Sequence, residues 1–247
     1  MIFKKMNSII IFSFISLFVF VTILPSSAGA GIQINSHGKK GGAFLSKATV
    51  PFIVIDTQGH RVGYDPRSNQ EYNEFEGSYG TSGIDDIYTE EAYIKPVDGN
   101  YMIEVIGEGL MEFSISFAIF RDKSEGMKSF IVQGLTDKGL TSKFQMTYNS
   151  DPSQPVGSVV RVASPSSLKQ DIALSRKIGW IDSDGIMMSL YKKAEAIEKS
   201  ISKGDNGTAK NQLEALINEI NAQKGKHIND EAVKMLLEDA QYLMEHL

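Results

Sequence analysis

The hydrophobic pattern of the chain changes its period once. Between about residue 49 and residue 150, apolar side chains tend to recur at every second position, which is the period of a β-strand. From residue 168 onward the spacing becomes 3.6 residues, which is the period of an amphipathic helix. The change predicts two domains of different structural class.

Short apolar runs separated by turn residues predict six or seven strands in the first domain. The clearest runs are PFIVIDTQG, GNYMIEVIGEG, MEFSISFAIF, MKSFIVQG and SKFQMTY. In the third run, phenylalanine and isoleucine alternate with serine and alanine, so we expect one buried face and one wet face. Turn residues at 98–100 and 107–109 separate these runs. We therefore predict an antiparallel β-sandwich over residues 48–150.

Apolar stripes at helical spacing predict a small α-helical bundle over residues 168–247. The stripes are Leu168 and Ile172; Ile186, Leu190, Ala194, Ile197 and Ile201; Leu213, Leu216, Ile217 and Ile220; and Val233, Leu236, Leu237, Ala240 and Leu243. We expect Ser183 or Asp184 to cap the second helix and Asn229 to cap the last. Trp180 is expected to fill the core of this bundle. The chain as a whole is predicted to be α+β in two domains.

Three further segments are predicted to lie outside these domains. Residues 1–30 combine two lysines, an apolar run and an Ala-Gly-Ala end, which is the layout of a secretory signal peptide. Residues 31–47 are rich in glycine and lysine and predict a flexible leader with a solvated His37. Residues 151–167 belong to a stretch rich in proline and serine and predict an interdomain linker.

Composition excludes several kinds of function. There is no cysteine, so disulfides, thiol catalysis and zinc–thiolate sites are excluded. The formal net charge is −5, which gives no basic footprint for nucleic acid or for anionic lipid. After residue 30, no apolar run is long enough to cross a bilayer. Together with the signal peptide, these observations predict a secreted protein that binds no nucleic acid and has no membrane span after the signal peptide is cleaved.

Motifs of catalysis are missing from the sequence. It contains no G-x-S-x-G, H-E-x-x-H or phosphate-binding glycine loop. The stretch IDSDG at 181–185 does not continue as a calcium loop, because Ile186 and Lys193 occupy positions that need oxygen ligands. We therefore predict no enzymatic activity, no cofactor and no metal centre.

The segment GHRVGYDPRSNQEYNEFEGSYG, residues 59–80, is a candidate binding surface because it concentrates tyrosines between polar residues and glycines. Tyr64, Tyr72 and Tyr79 are its candidate ligand-binding residues. The structural alternative is that residues 61–64 form a short strand beside FIVID, with Tyr64 and Tyr72 at the edge of the core.

The acidic stretch GIDDIYTEE, residues 83–91, supplies two further candidate ligand-binding residues, Asp85 and Asp86. Together with Asp56 and Asp65, these carboxylates offer oxygen ligands for calcium at one end of the sandwich. The alternative is a solvated acidic loop. No spacing in this stretch fixes a set of coordinating residues, so the prediction of no metal centre stands.

Two resemblances add to this picture. Asp56–Pro66 reads D-x-x-G-x-x-x-G-Y-D-P, and Gly99–Gly109 reads G-x-Y-x-x-x-V-x-G-x-G. With Asn73-Glu74, these motifs resemble a β-sandwich module appended to secreted bacterial lipase-like, protease and von Willebrand factor type A proteins. The second motif is also similar to the end of bacterial pre-peptidase C-terminal domains.

The helical region resembles the FIMAH domain, a C-terminal module of secreted bacterial proteins. The residues that carry this resemblance are Gly179, Gly185, Leu190, Asn211, Leu213, Ile217, Asn218, Ala222, Gln223, Gly225 and Lys226. Leu216-Ile217 replaces the usual aromatic–isoleucine pair. The resemblance implies an accessory protein without the enzyme that often accompanies such modules. We therefore predict a secreted, non-enzymatic binding or adhesion protein whose partner is an extracellular protein or a cell-wall polysaccharide. The alternative is an accessory or inhibitory partner of a secreted hydrolase.

Overall fold

The structure is a computed structural model of the chain. It describes residues 30–40, 43–44, 50–84, 87–121 and 127–247. Of the predicted signal peptide, residues 1–30, only Ala30 lies among the described residues, so this segment stays a prediction. Asp85 and Asp86 also lie outside the described residues.

Two six-stranded antiparallel sheets form the N-terminal part. The first sheet has the strand order β10-β9-β1-β7-β6, with β2 paired to β1. Its strands are β1 (Gly31–Lys40), β2 (Ala43–Phe44), β6 (Gly77–Ile84), β7 (Ile87–Ile94), β9 (Met111–Phe120) and β10 (Lys128–Thr136).

The second sheet has the order β12-β11-β8-β3-β4-β5. Its strands are β3 (Phe52–Ile55), β4 (Arg61–Asp65), β5 (Gln70–Asn73), β8 (Gly99–Ile106), β11 (Thr141–Tyr148) and β12 (Gly157–Val162). All five runs that the sequence predicts as strands are strands in the structure.

The main core lies between the two sheets and confirms the predicted sandwich. Phe117 of β9 and Ile103 of β8 are both fully buried in it, one from each sheet. Phe113 meets Phe144 edge-on, with ring centroids 6.2 Å apart. The expected wet face of β9 is wrong, since its serines are buried as well. The strand lies inside the sheet, between β1 and β10, and its small side chains are sheltered by their neighbours.

The prediction of a flexible leader over residues 31–47 is wrong for residues 31–40. They form β1, which pairs with β7 on one side and with β9 on the other. Ile32 and Ile34 point into the core and are fully buried. His37, expected in solvent, is only 5 % exposed. Two large apolar side chains are too few to give a clear strand period in the sequence. The position of β1 is fixed instead by hydrogen-bonded ladders to β7 and β9, which are distant in sequence.

The predicted linker, residues 151–167, is also largely ordered. Its second half contains β12, which pairs with β11 from Lys143↔Val162 to Tyr148↔Gly157. The first helix then begins at Pro165, with Ser164 as its N-cap. The sandwich therefore extends from residue 31 to residue 162 instead of from 48 to 150.

Four helices follow, as the apolar stripes predict. They are α1 (Pro165–Lys177), α2 (Asp184–Ser202), α3 (Asn206–Gln223) and α4 (Asp230–Glu245). The side chains of Ser183 and Asn229 accept hydrogen bonds from the first turns of α2 and α4, which confirms both predicted caps. The stripe residues share one core with Trp180. Among the described helices, none is long and apolar enough to span a membrane.

Candidate functional site

The segment 59–80 is built into both sheets as strands β4, β5 and the start of β6. Tyr64 is half-buried on β4, and its hydroxyl donates to Asn69 Oδ1 at 2.7 Å. Asn69 has a positive φ of 52°, which closes the tight turn between β4 and β5. The strand at 61–65 agrees with the structural alternative for this segment.

Tyr72 belongs to a small cluster separate from the main core. It packs with Ile53 and Ile106, and only 7 % of its surface is exposed. The guanidinium of Arg61 covers its ring at 3.8 Å from the centroid and is itself held by two hydrogen bonds to Glu74. The ring of Tyr72 is thus covered by the protein's own side chains.

Tyr79 points into the main core from the edge strand β6. Its ring meets Phe52 edge-on at 5.5 Å. Burial, together with the nearby charge of Glu90, raises the pKa of its hydroxyl above the ordinary value of 10.0. Within the part of the chain that the structure describes, this hydroxyl has no hydrogen-bond partner. Tyr72 and Tyr79 lie in different sheets and in different clusters, so the segment does not bring its tyrosines together.

The carboxylates grouped with the acidic stretch are distributed over separate local structures. Asp56 accepts from the backbone of Gln58 and His60 and holds the turn after β3. Asp65 is paired with Arg67. Glu90 lies buried on β7, so the alternative of a solvated loop over 83–91 is wrong for this residue. Among the described residues, no group of three or more acidic, histidine or cysteine side chains could hold a metal.

A pocket of about 300 Å³ lies where the sandwich meets α1, and we call it the polar pocket because most of the residues that line it are polar. It is lined by Thr141, Ser142, Lys143, Arg161, Val162, Ala163, Ser164, Ser167, Gln170 and Asp171. Lys143 and Ser164 are exposed at its rim, whereas Ser142, Arg161 and Asp171 are buried. Ser164, the N-cap of α1, and Ser167 in its first turn form a capping box, which fixes the helical turn that forms one wall.

Arg161 lies behind this pocket and joins the two parts of the molecule. Its Nη2 donates to Asp171 Oδ2 of α1 at 2.6 Å, and its Nε donates to Asp239 Oδ1 of α4 at 2.7 Å. The exposed fraction of these three side chains is 4 % or less. Its guanidinium carbon also lies 5.4 Å from the centroid of the Phe144 ring in the sandwich core.

Burial determines the charge states in this group. Burial alone would lower the pKa of the Arg161 guanidinium, but the charges of Asp171 and Asp239 outweigh it and raise that pKa. Burial also raises the pKa of the Asp239 carboxyl well above its ordinary value of 3.8. Arg161 is therefore charged, while Asp239 resists ionisation.

Two further contacts hold the helices on the sandwich. Trp180 Nε1 donates to Glu112 Oε1 of β9 at 3.3 Å. Leu135 of β10 is fully buried within the core of the helical region. The two parts thus form a continuous body through apolar packing, a hydrogen bond and a buried ionic group.

The helical region is also the part of the chain with a recognised relative. Residues 165–245 match the FIMAH domain. The match covers all four helices and agrees with the resemblance drawn from the sequence. No curated protein and no solved structure matches the chain.

Sequence reasoning missed the site at the junction of the sandwich and the FIMAH domain. Arg161, Asp171 and Asp239 are three charged residues within predicted linker or helix, where charges are usually solvated. The available signal was the position of Asp239 between Leu236 and Ala240, on the apolar stripe of α4. Similarly, the sequence predicts only that Trp180 fills the helical core, and no pattern in it indicates the hydrogen bond to Glu112 of the sandwich.

Proposed function

We propose that this chain is a secreted, non-enzymatic binding protein that attaches to a polysaccharide of the cell surface or extracellular matrix. The observation that carries the proposal is the polar pocket between the sandwich and the FIMAH domain. Pockets for small ligands are formed preferentially at such domain junctions. The proposal does not depend on Tyr64, Tyr72 or Tyr79.

The lining of the pocket favours a saccharide unit as ligand. Hydroxyl groups of Thr141 and Ser142, the amide of Gln170 and the ammonium of Lys143 offer both donors and acceptors. A sugar presents hydroxyls of both kinds, and its C–H groups suit the apolar part of the lining at Val162 and Ala163. The volume is at the lower end of the range for small-molecule pockets, which fits one unit of a polymer.

Secretion is supported by the N-terminal pattern of the sequence. Cleavage after Ala30 would leave Gly31, the first residue of β1, as the new terminus. Amino-terminal sequencing of the protein from culture medium is expected to begin at Gly31. Recovery of intact Met1 in a membrane fraction would contradict cleavage and release.

Binding is tested by sedimentation of the secreted protein with insoluble cell-wall polysaccharide. Gln170→Trp fills the pocket from α1 and is expected to abolish co-sedimentation. Ser166→Trp is the matched control, because Ser166 is exposed on the same helix and does not line the pocket. Equal retention of both variants would overturn the proposed site. Loss of wild-type retention after the cell wall is treated with protease would identify a protein partner instead.

A further inference from the structure

Two buried carboxyl groups share one edge of a single guanidinium at the junction. In this protein, the Nε and Nη2 edge of Arg67 is filled by one carboxylate, that of Asp65. At Arg161 the same two nitrogens donate to two different residues, Asp239 and Asp171. Two carboxyl groups are therefore held side by side where one normally fits.

Each of these carboxyl groups has one oxygen bound to Arg161 and a second oxygen that is buried. In the described part of the chain, neither Asp171 Oδ1 nor Asp239 Oδ2 has a donor within hydrogen-bonding distance. Hydrogen bonds of 2.6 and 2.7 Å to two nitrogens on the same edge of one guanidinium nevertheless hold the two carboxyl groups next to each other. A carboxylate oxygen can only accept, so two facing oxygens form a hydrogen bond only if one of them carries a proton.

The charge balance leads to the same requirement. Fully ionised, the group would contain two negative charges and one positive charge in an interior with almost no solvent exposure. Two carboxylates held side by side by one cation repel each other, and a proton retained between them belongs to the pair. The other charged groups nearby are Glu238 and Lys234 on α4, and Lys143 on β11 at the pocket. On β10, the contact is the backbone carbonyl of Gln133, at 3.4 Å from Arg161 Nη1.

We propose that Asp171 and Asp239 share one proton and that this proton fastens the FIMAH domain to the sandwich. It lies between Asp171 Oδ1 and Asp239 Oδ2, and it passes to solvent when the pair ionises. The two negative charges, one on α1 and one on α4, then repel each other along the edge of Arg161 that they share. Because Arg161 and Asp171 also line the polar pocket, loss of the proton disturbs one wall of that pocket.

The sign of the pH dependence follows from the raised pKa of Asp239. The stabilisation from a carboxyl whose pKa is raised on folding is complete below the unfolded value, near pH 3.8. It is lost as pH rises toward the folded pKa. For a protein of this length, one proton corresponds to a fall in melting temperature of about 3–5 °C per pH unit within that window.

Asp239→Asn tests the proposal, because asparagine can donate to Asp171 and still accept from Arg161 without a titrating proton. Melting temperatures of the complete secreted protein are measured from pH 4 upward. Within the window between the unfolded and folded pKa, the melting temperature of the variant is expected to rise relative to that of wild type by about 3–5 °C per pH unit. A difference that is constant across pH would overturn the proposal, even if the variant is less stable throughout.

Glu238→Gln is the matched control. Glu238 is the next residue on α4, and burial also raises its pKa, but it makes no hydrogen bond to Arg161 in the described structure. Because the pKa of Glu238 is raised less than that of Asp239, this variant is expected to lose only the part of the slope close to the ordinary carboxyl pKa and to keep the slope at higher pH. If Glu238→Gln removes the slope and Asp239→Asn does not, the shared proton is excluded. Infrared spectroscopy gives a direct readout: a protonated carboxyl band at neutral pH should disappear in Asp239→Asn.

Discussion

Arg67 and Arg161 make similar hydrogen bonds in very different surroundings. Arg67 binds both oxygens of Asp65, two residues away, and 44 % of its side chain is exposed. Arg161 binds two carboxyl groups, on α1 and α4, that are 10 and 78 residues away, and only 4 % of its side chain is exposed. Contact geometry alone therefore does not distinguish a local turn from a connection between domains.

The comparison shows how burial changes the role of an ion pair. An exposed pair is screened by solvent and contributes little beyond ordering its own turn. A buried group contributes specificity, since any other arrangement would leave an uncompensated charge in the interior. At Arg161 this specificity fixes α1 and α4 on the edge of the sandwich formed by β10 and β12.

The largest expected effect is that of Arg161→Met. It removes the only charge that compensates Asp171 and Asp239 within the described contacts of this group, and we expect a loss of about 3–5 kcal/mol in the free energy of unfolding. Urea denaturation followed by circular dichroism measures this loss. A cost below about 1 kcal/mol would place Arg161 in the same class as an exposed pair.

A triple variant sharpens this result. Replacing Arg161 with Met and both aspartates with Leu removes all the charges together, and stability is expected to return close to that of wild type or above it. Failure of the triple variant to recover stability would show that packing, and not charge compensation, explains the loss in the single variant.

A smaller effect is expected for Trp180→Phe. The phenyl ring keeps most of the apolar contact with the helical core but cannot donate to Glu112, so the expected cost is about 1 kcal/mol. Glu112→Gln is the matched control, because the amide oxygen can still accept from the indole. The urea midpoint of Glu112→Gln should therefore lie closer to that of wild type than the midpoint of Trp180→Phe does.

Arg67→Ala is expected to lower the free energy of unfolding by less than about 1 kcal/mol. The side chain of Arg67 is 44 % exposed, and although that of its partner Asp65 is only 12 % exposed, Asp65 keeps the hydrogen bond from the backbone N–H of residue 67. The free energy of unfolding of Arg67→Ala is measured under the same conditions as that of Arg161→Met. It shows how much stability is lost when an ion pair with an exposed arginine is removed. A loss equal to that of Arg161→Met would contradict the role assigned to burial.

The two sites should respond to pH in opposite directions. The side-chain hydrogen bond from Arg67 lowers the pKa of Asp65, so its stabilisation is present above the unfolded value of about 3.8 and is lost as pH falls. Asp65→Asn is therefore expected to reduce the loss of melting temperature below pH 4 by a small amount. Asp65→Asn should leave the change of melting temperature at alkaline pH the same as in wild type. An effect confined to high pH would contradict this assignment.

Sequence reasoning succeeded where a segment's pattern depends on its own residues. The strand period of β9, the stripes of the helices and the caps at Ser183 and Asn229 are all local signals, and each predicted strand, helix or cap appears in the structure. Only the wet face expected for β9 does not, because its serines are covered by neighbouring strands. Sequence reasoning failed for β1 and β12. Their strand character depends on ladders to partners elsewhere in the chain, and their sequences contain glycine, serine or charge that usually indicates a loop.

The candidate site shows the same contrast between local sequence signals and contacts that depend on distant residues. Tyr64, Tyr72 and Tyr79 attract attention because aromatic residues among polar ones are conspicuous in sequence. The structure, however, packs Tyr72 and Tyr79 into two different apolar clusters. The junction group could not be predicted, because no local pattern indicates that residues 161, 171 and 239 will meet.

The central position of β1 has a consequence for any attempt to isolate the sandwich. A fragment beginning at residue 48 would lose the strand between β7 and β9, and both of those strands would then present open hydrogen-bonding edges. Neighbouring copies of such a fragment could pair through these edges, and unpaired edges of this kind promote aggregation. A soluble sandwich should therefore require residues 31–40, whether they are covalently attached or supplied in trans as a peptide that completes the sheet.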